Sequence, residues 1–210
     1  MTLSYQYDPQ QPLPDDVAGL IFDCDGTLVD TMPTHYLAWS TIFQELGIHL
    51  DERAFYMFAG TPTVKIIEQV TRQHGMSGLD YQALAHRKED IFLAHAGECK
   101  AIAPVVAVAR REQGRRKLAV ASGGASYIVR QLLRAVGIED LFPVVIGSDA
   151  PVRGKPNPDI FLHTATELGV SAPACVVYED GHPGFQAARA AGMRYVDVRP
   201  WYLPPERIFD

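Results

Sequence analysis

The sequence predicts an α/β fold, in which a doubly wound parallel sheet is interrupted by an inserted helical domain. Continuous apolar runs recur along the chain with helical patterns between them, and strands that are apolar throughout are typical of parallel sheets covered on both faces. The first two of these runs are separated by about 90 residues, far more than one crossover connection requires. We therefore expect a core sheet and a separate insertion.

The core elements follow from these runs and from the turn residues beside them. The apolar runs that fit buried strands are 18–22, 117–122, 144–147, 175–180 and 195–198. Three helical patterns lie between the later strands and each stops at a glycine; they are 128–136, 158–168 and 185–191. This alternation favours right-handed crossovers and an open, doubly wound sheet.

The long gap also contains helical patterns. Apolar residues recur at helical spacing in one stripe that stops at Gly47 and in a second that stops near Gly75, and 79–96 forms a third. The stripes are Trp39, Ile42, Phe43 and Leu46, then Val64, Ile67 and Val70. We expect a helical cap over 33–103, a catalytic core made of 17–32 and 104–210, and an extended N-terminal tail, 1–16.

Composition limits the class of protein. The 210 residues are 47% hydrophobic and 21% charged, which is typical of globular chains, and the net charge of −6 argues against nucleic acid as a partner. No apolar run approaches the ~18 residues of a membrane span, and the first residues do not resemble a signal peptide. We expect a cytoplasmic monomer or weak dimer without membrane contact, with its three cysteines reduced. The basic residues of 110–117 are interpreted as a solvated helix end.

The segment Asp23-Cys24-Asp25-Gly26-Thr27-Leu28-Val29-Asp30 is the most informative part of the chain. Side chains two residues apart point to the same side of an extended chain, so Asp23 and Asp25 can face one pocket at the end of the first strand. Two anions this close favour a cation between them or the protonation of one. A magnesium site with one nucleophilic carboxylate and one acid/base carboxylate fits that need.

Three further segments carry polar residues at predicted strand ends or before a helix. Ser122 and the amide of Gly123 can hold phosphate oxygens, although Ser-Gly-Gly is also an ordinary turn. Lys155 lies in a proline-stiffened loop and can neutralise a nucleophile and an incoming phosphoryl group. Glu179 and Asp180 follow a buried strand, where two acids are costly without a cation such as Mg²⁺.

These segments together resemble the four motifs of the haloacid dehalogenase superfamily, in order, over residues 18–199. The one departure is Gly181, which stands where the fourth motif usually has Ser. The resemblance implies a Mg²⁺-dependent phosphatase acting through an aspartyl-phosphate, with Asp23 as nucleophile and Asp25 as general acid and base. The implied phosphate contacts are Ser122, Gly123 and Lys155, and the implied metal ligands are Asp23, Asp25, Glu179 and Asp180.

The position of the insertion, between the first two motifs, resembles that of the cap in the branch that includes β-phosphoglucomutase. In that branch, cap residues contact the substrate. That likeness implies substrate contacts for Thr31, His35 and Lys88, although from the sequence alone His35 is a plain helix residue and Lys88 a solvated charge. Thr63 stands where the mutases carry a cap arginine. The chain therefore looks closer to the fructose-1-phosphate and 6-phosphogluconate phosphatases, which predicts a small phosphate ester as substrate.

Other activities remain as alternatives. A phosphosugar mutase would use the same residues, and a non-catalytic phosphometabolite-binding protein is expected to have lost at least one of them. A haloacid dehalogenase has no use for Asp25 or for the acidic pair Glu179-Asp180.

Overall fold

The computed structural model describes residues 11–56, 58 and 61–203, and the chain divides into two compact units. One unit is drawn from Met1–Asp30 and Lys100–Asp210, and the other is Thr31–Cys99. The sequence predicts the inserted domain at 33–103. Of the predicted N-terminal tail, 1–16, residues 1–10 lie outside the described residues. None of the helices in the described ranges combines the length and the apolar character that crossing a membrane demands.

The first unit is built on a five-stranded parallel sheet with the order β5-β4-β1-β6-β7. A separate antiparallel pair joins β2 and β3. The strands in chain order are β1 (Gly19–Phe22), β2 (Val29–Asp30), β3 (Lys100–Ala101), β4 (Lys117–Ala121), β5 (Val144–Ile146), β6 (Cys175–Glu179) and β7 (Arg194–Asp197). The predicted α/β class and parallel sheet are confirmed, whereas the short β2–β3 pair carries no apolar pattern and was not predicted.

Most of the helices agree with the sequence patterns, whereas those over Glu52–Tyr56 and Ala103–Glu112 were not predicted individually. In chain order they are α1 (Met32–Glu45), α2 (Glu52–Tyr56), α3 (Thr63–Gln73), α4 (Tyr81–His95), α5 (Ala103–Glu112), α6 (Ser126–Ala135), α7 (Asp159–Leu168) and α8 (His182–Ala190). The predicted stop after 158–168 is a left-handed glycine, since Gly169 has φ 62° and its amide bonds the carbonyls of Ala165 and Thr166.

The strand order places β1 at the centre of the sheet. β1 pairs with β4 on one side and with β6 on the other, and all four of its residues are buried. Phe22, its last residue, stacks on Tyr178 of β6 with ring centroids 4.7 Å apart. The chain order of the strands reverses at β1, and ligands of open α/β sheets bind in the crevice outside the carboxyl ends at such a point.

The second unit has an apolar core of its own. The two stripes predicted at helical spacing lie on α1 and α3, where Ile42, Phe43 and Ile67 are fully buried. α4 begins at an N-cap, because the Asp80 carboxylate accepts a hydrogen bond from the Ala83 amide at 3.0 Å.

The basic segment before β4 is not simply solvated, so that interpretation is wrong in part. The Arg116 guanidinium pairs with Glu112, which is 2% exposed, and donates to the carbonyl of Val17 at 2.9 Å. The Lys117 ammonium donates to the carbonyl of Leu168 at 2.6 Å. These cations satisfy buried or terminal acceptors, and Arg116 fastens the chain entering β1 to the end of α5.

Candidate active site

The polar residues of the four motifs lie at the carboxyl ends of three adjacent strands and in the loop before α7. Asp23 follows β1, and its amide donates to the carbonyl of Tyr178 at 2.9 Å, which continues the β1–β6 pairing by one residue. Glu179 is the last residue of β6, and Ser122 directly follows β4. Parallel strands end at one edge of the sheet, and for that reason residues far apart in the chain meet there.

Lys155 joins two of the acidic residues. Its ammonium lies 2.6 Å from Oδ1 of Asp23 and 2.6 Å from Oε2 of Glu179. Its side chain is 11% exposed, and its ammonium lies 5.2 Å from the ring centroid of Phe161. Burial opposes the charge on Lys155, but the carboxylates of Asp23 and Glu179 outweigh burial and raise its pKa above the usual range. The ammonium therefore stays charged between its two partners.

A third carboxylate completes a compact acidic cluster. Asp23, Glu179 and Asp180 each offer an oxygen, and the three oxygens all lie within 4.8 Å of one another. The Asp180 carboxylate accepts from the Thr27 hydroxyl at 3.2 Å. Oε1 of Glu179 accepts from the Gly181 amide at 3.1 Å, which fixes the carboxylate toward its own loop. Oxygen donors gathered in this way are the ligands that Mg²⁺ prefers.

The electrostatics of the cluster call for a cation. Desolvation and the nearby Glu179 raise the pKa of Asp23 from 3.8 to about 7 although Lys155 opposes the shift. Desolvation, followed by Glu179 and Asp23, also raises the pKa of Asp180 well above its usual value. Three carboxylates and the one ammonium of Lys155 leave a formal net charge of two negatives, which a divalent cation would neutralise. The donor set therefore fits Mg²⁺.

Two glycines allow carboxylates of the cluster to approach the backbone closely. Gly26 has φ 79°, and a Cβ at this position would lie 2.2 Å from Oδ2 of Asp180. A Cβ on Gly184, in the first turn of α8, would lie 2.1 Å from the carboxyl group of Glu179. Neither position tolerates a side chain without displacement of an acid in the cluster.

The loop after β4 provides a second group of polar atoms. The Ser122 hydroxyl lies 3.4 Å from Oδ2 of the half-buried Asp25, and it accepts from the Gly124 amide at 3.0 Å. Gly123 is exposed, and the space beside its Cα is open. Asp25 does not belong to the side-chain cluster of three, so its place in the predicted metal set depends on its backbone carbonyl, which stays a prediction.

Sequence reasoning missed two residues that hold these loops. Asp149 follows β5 and accepts from both the amide and the hydroxyl of Ser126, at 2.7 and 2.6 Å, at the start of α6. These hydrogen bonds lower the pKa of Asp149. Thr27 is part of the first motif, and the sequence predicts no role for it. An acidic residue three positions beyond an apolar strand was a usable signal for Asp149. No local pattern reveals that Thr27 donates to Asp180.

The predicted substrate residues of the inserted domain are placed within the second unit. The His35 ring stacks on Phe92 with centroids 4.1 Å apart, and its Nδ1 lies 3.0 Å from the Lys88 ammonium. Lys88 is 8% exposed, so the interpretation of this residue as a solvated charge is wrong. Thr31 is buried, and its hydroxyl has no hydrogen-bond partner among the described residues.

Comparison with known proteins gives the same family as the motifs. Residues 17–192 match the model for haloacid dehalogenase-like hydrolases. The fructose-1-phosphate phosphatase YqaB of Escherichia coli is 40% identical over 87% of this chain and 96% of its own length. The β-phosphoglucomutase of Bacillus subtilis is 30% identical over 85% and 82% of the two chains. A haloacid dehalogenase-like protein of unknown function from Agrobacterium tumefaciens superposes with a TM-score of 0.72 at 31% identity, over 85% of this chain and 81% of that one.

Proposed function

Because this chain belongs to the haloacid dehalogenase-like hydrolases and is a phosphomonoester hydrolase of that type, we propose that it is a Mg²⁺-dependent phosphatase of small sugar phosphates. The observation that carries this proposal is the cluster of the buried Asp23 and Glu179 with the half-buried Asp180, in which Lys155 is bonded to the two buried members. A phosphatase needs a nucleophile, a cation site and a fixed positive charge at one point, and the cluster provides residues for all three.

Asp23, Asp180 and Glu179 would hold Mg²⁺, together with the Asp25 carbonyl. When bound, Mg²⁺ supplies positive charge that offsets the carboxylates and the developing charge on the phosphoryl oxygens. Since desolvation and Glu179 raise the pKa of Asp23, a nearby cation favours the ionised form that can act as a nucleophile.

The reaction proceeds in two steps. An Asp23 oxygen forms a bond to phosphorus as the bond to the ester oxygen breaks, and Asp25 donates a proton to the departing alkoxide. Asp25 then removes a proton from water as the water oxygen attacks phosphorus. This second step releases inorganic phosphate, restores the Asp23 carboxylate and returns the proton to Asp25. The 3.4 Å approach of the Ser122 hydroxyl to Asp25 helps to hold that carboxyl group in place.

The phosphoryl oxygens are stabilised by the loop after β4 and by Lys155. The exposed Gly123 amide can donate to these oxygens, and the Ser122 hydroxyl can do so when its single proton turns from Asp25 to the bound ester. The Lys155 ammonium neutralises charge beside Asp23. Thr31, His35 and Lys88 are proposed to contribute to substrate binding, and the buried Lys88 is the proposed cation for the polar part of a sugar. A cytoplasmic location and a monomeric or weakly dimeric state belong to the same proposal.

Two observations support the proposed substrate class, one from similarity and one from residue 63. The relative with 40% identity carries the name fructose-1-phosphate phosphatase, which supports a sugar phosphate as substrate. Thr63, the first residue of α3, cannot hold a second phosphate in the bidentate way of an arginine. Hydrolysis is therefore proposed rather than the phosphoryl exchange of a mutase, whose bisphosphate intermediate needs a second anion site.

Phosphate release from a panel of sugar phosphates tests the proposal. Wild-type protein with Mg²⁺ should hydrolyse fructose 1-phosphate or another panel member, Asp23→Asn and Asp25→Asn should be inactive, and Asp140→Asn, an exposed carboxylate in a remote turn, should match wild type. Phosphorus NMR on β-glucose 1-phosphate with a trace of the 1,6-bisphosphate distinguishes a phosphatase from the alternative, a phosphosugar mutase. Accumulation of glucose 6-phosphate without inorganic phosphate would show that the protein is a mutase.

A further inference from the structure

The turn that follows β7 reaches the catalytic loop. The phenol of Tyr202 donates a hydrogen bond to the backbone carbonyl of Gly26, which lies in the loop that carries Asp23 and Asp25. Tyr202 is separated from Gly26 by 176 positions in the chain and lies beyond residue 192, where the match to the family model ends. The contact therefore joins the catalytic loop to a segment outside that match.

Several interactions hold this turn against the active-site edge of the sheet. The amide of Val198 donates to the carbonyl of Glu179 at 3.0 Å, which extends the β6–β7 pairing. The Arg199 side chain is bidentate to Asp197, with its Nη2 2.7 Å from Oδ2 and its Nε 2.9 Å from Oδ1. Tyr202 thus follows a short, braced connection.

Aromatic packing fixes the same turn from the other side. The Trp201 ring packs edge-on against Tyr178 with centroids 6.0 Å apart, and Tyr178 in turn stacks on Phe22 at the end of β1. Burial, and then the charge of Asp180, raise the pKa of Tyr202, so its hydroxyl remains a proton donor across the working pH range.

The acceptor of this bond, Gly26, is closely packed in the catalytic loop. Gly26 adopts φ 79°, and the space that its missing side chain leaves is filled by the Asp180 carboxylate. The next residue, Thr27, donates to that carboxylate at 3.2 Å. A rotation of the Gly26 peptide would therefore move Asp25 on one side and the Thr27–Asp180 contact on the other.

We propose that Tyr202 is a positioning residue, whose hydroxyl fixes the Gly26 peptide and thereby the spacing between the Asp23–Asp25 loop and Asp180. The inference rests on the proposed phosphatase function, since the loop matters only if these carboxylates bind Mg²⁺ and phosphate. Tyr202 takes no part in bond making, and its effect passes entirely through the loop.

Tyr202→Phe tests this inference because it removes only the hydroxyl. Tyr195→Phe is the matched control, since Tyr195 lies on β7 of the same unit and its ring stacks on Phe185 at 5.0 Å without a contact to the catalytic loop. The measurements are kcat and KM for the sugar phosphate that wild type hydrolyses, the Mg²⁺ dissociation constant by calorimetry without substrate, and the urea midpoint.

We expect Tyr202→Phe to lower kcat about tenfold and to weaken Mg²⁺ binding about threefold, with KM close to wild type. The urea midpoint should fall by no more than the loss of one hydrogen bond accounts for. Tyr195→Phe should leave kcat and Mg²⁺ binding unchanged. A Tyr202→Phe protein with wild-type kcat and Mg²⁺ affinity, or one in which only the urea midpoint falls, overturns the positioning role. If wild type neither binds Mg²⁺ nor releases phosphate, the proposed function itself fails, so the two failures are distinguishable.

Discussion

Replacement of Asp23 by Asn is expected to stop catalysis and, in the presence of a chelator, to stabilise the fold at neutral and basic pH. Burial and Glu179 raise the pKa of Asp23 from 3.8 in the unfolded chain to about 7 in the folded one. Between these two values the unfolded state ionises while the folded state stays protonated. The wild-type protein therefore loses stability as pH rises through this window, and the loss levels off above pH 7.

The size of the effect follows from the two pKa values. A rise from 3.8 to about 7 is roughly three pKa units, and at 1.36 kcal/mol per unit the ionised Asp23 costs about 4 kcal/mol. This figure is an upper bound, because Lys155 also loses a charged partner in the variant. Asp23→Asn keeps the size of the side chain and an oxygen that can accept from Lys155. We expect a gain of about 2 kcal/mol at pH 8 and almost none at pH 4.

Urea unfolding followed by circular dichroism at pH 4, 6 and 8 in chelator measures this difference. Saturating Mg²⁺ should reverse its sign at pH 8, because a ligand that binds the folded wild type stabilises it by mass action and the variant lacks one ligand. Asp23→Asn that is less stable than wild type in chelator at pH 8, or a difference that does not change with pH, would refute the electrostatic reasoning. Residual turnover above a few per cent would show that Asp23 is not the nucleophile.

Four further predictions concern the cluster, its surroundings and its metal. Lys155→Met should lower kcat by roughly a hundredfold at saturating Mg²⁺ and shift the acidic limb of the pH–rate profile upward, because the ammonium that lowers the pKa of Asp23 is lost. Gly26→Ala should weaken Mg²⁺ binding in calorimetry, whereas Gly192→Ala, with φ 71° and open space around its Cα, should lose only stability. Asp149→Ala should lower the melting temperature, because two hydrogen bonds at the start of α6 are lost. The pKa of Asp149 is depressed in the fold, so this difference from wild type should shrink as pH falls below the ordinary pKa of an aspartate. Activity should disappear in chelator and return with Mg²⁺, and Ca²⁺, with its larger and looser coordination, should inhibit; full activity in excess chelator would exclude the metal assignment.

The sequence by itself determined the elements and their chemistry. Apolar runs and glycine stops located the core strands and the helices α6 to α8, because periodicity and turn residues act over a few positions. The same local patterns placed Asp23, Ser122 and Glu179 at strand ends. Once the strands were predicted to be parallel, their carboxyl ends had to meet at one edge of the sheet, and the acidic residues with them.

Only the tertiary structure decided which of these groups touch. Lys155 bonds Asp23 and Glu179 from positions 132 and 24 residues away, and no local signal states that one ammonium serves both. The burial of Lys88 was hidden for the same reason, since its helical pattern is that of an exposed charge. The Tyr202 contact with Gly26 depends on the path of the turn after β7. Contacts of this kind depend on how loops and layers pack. They join residues that are far apart in the chain, and no periodic pattern in the sequence reveals them.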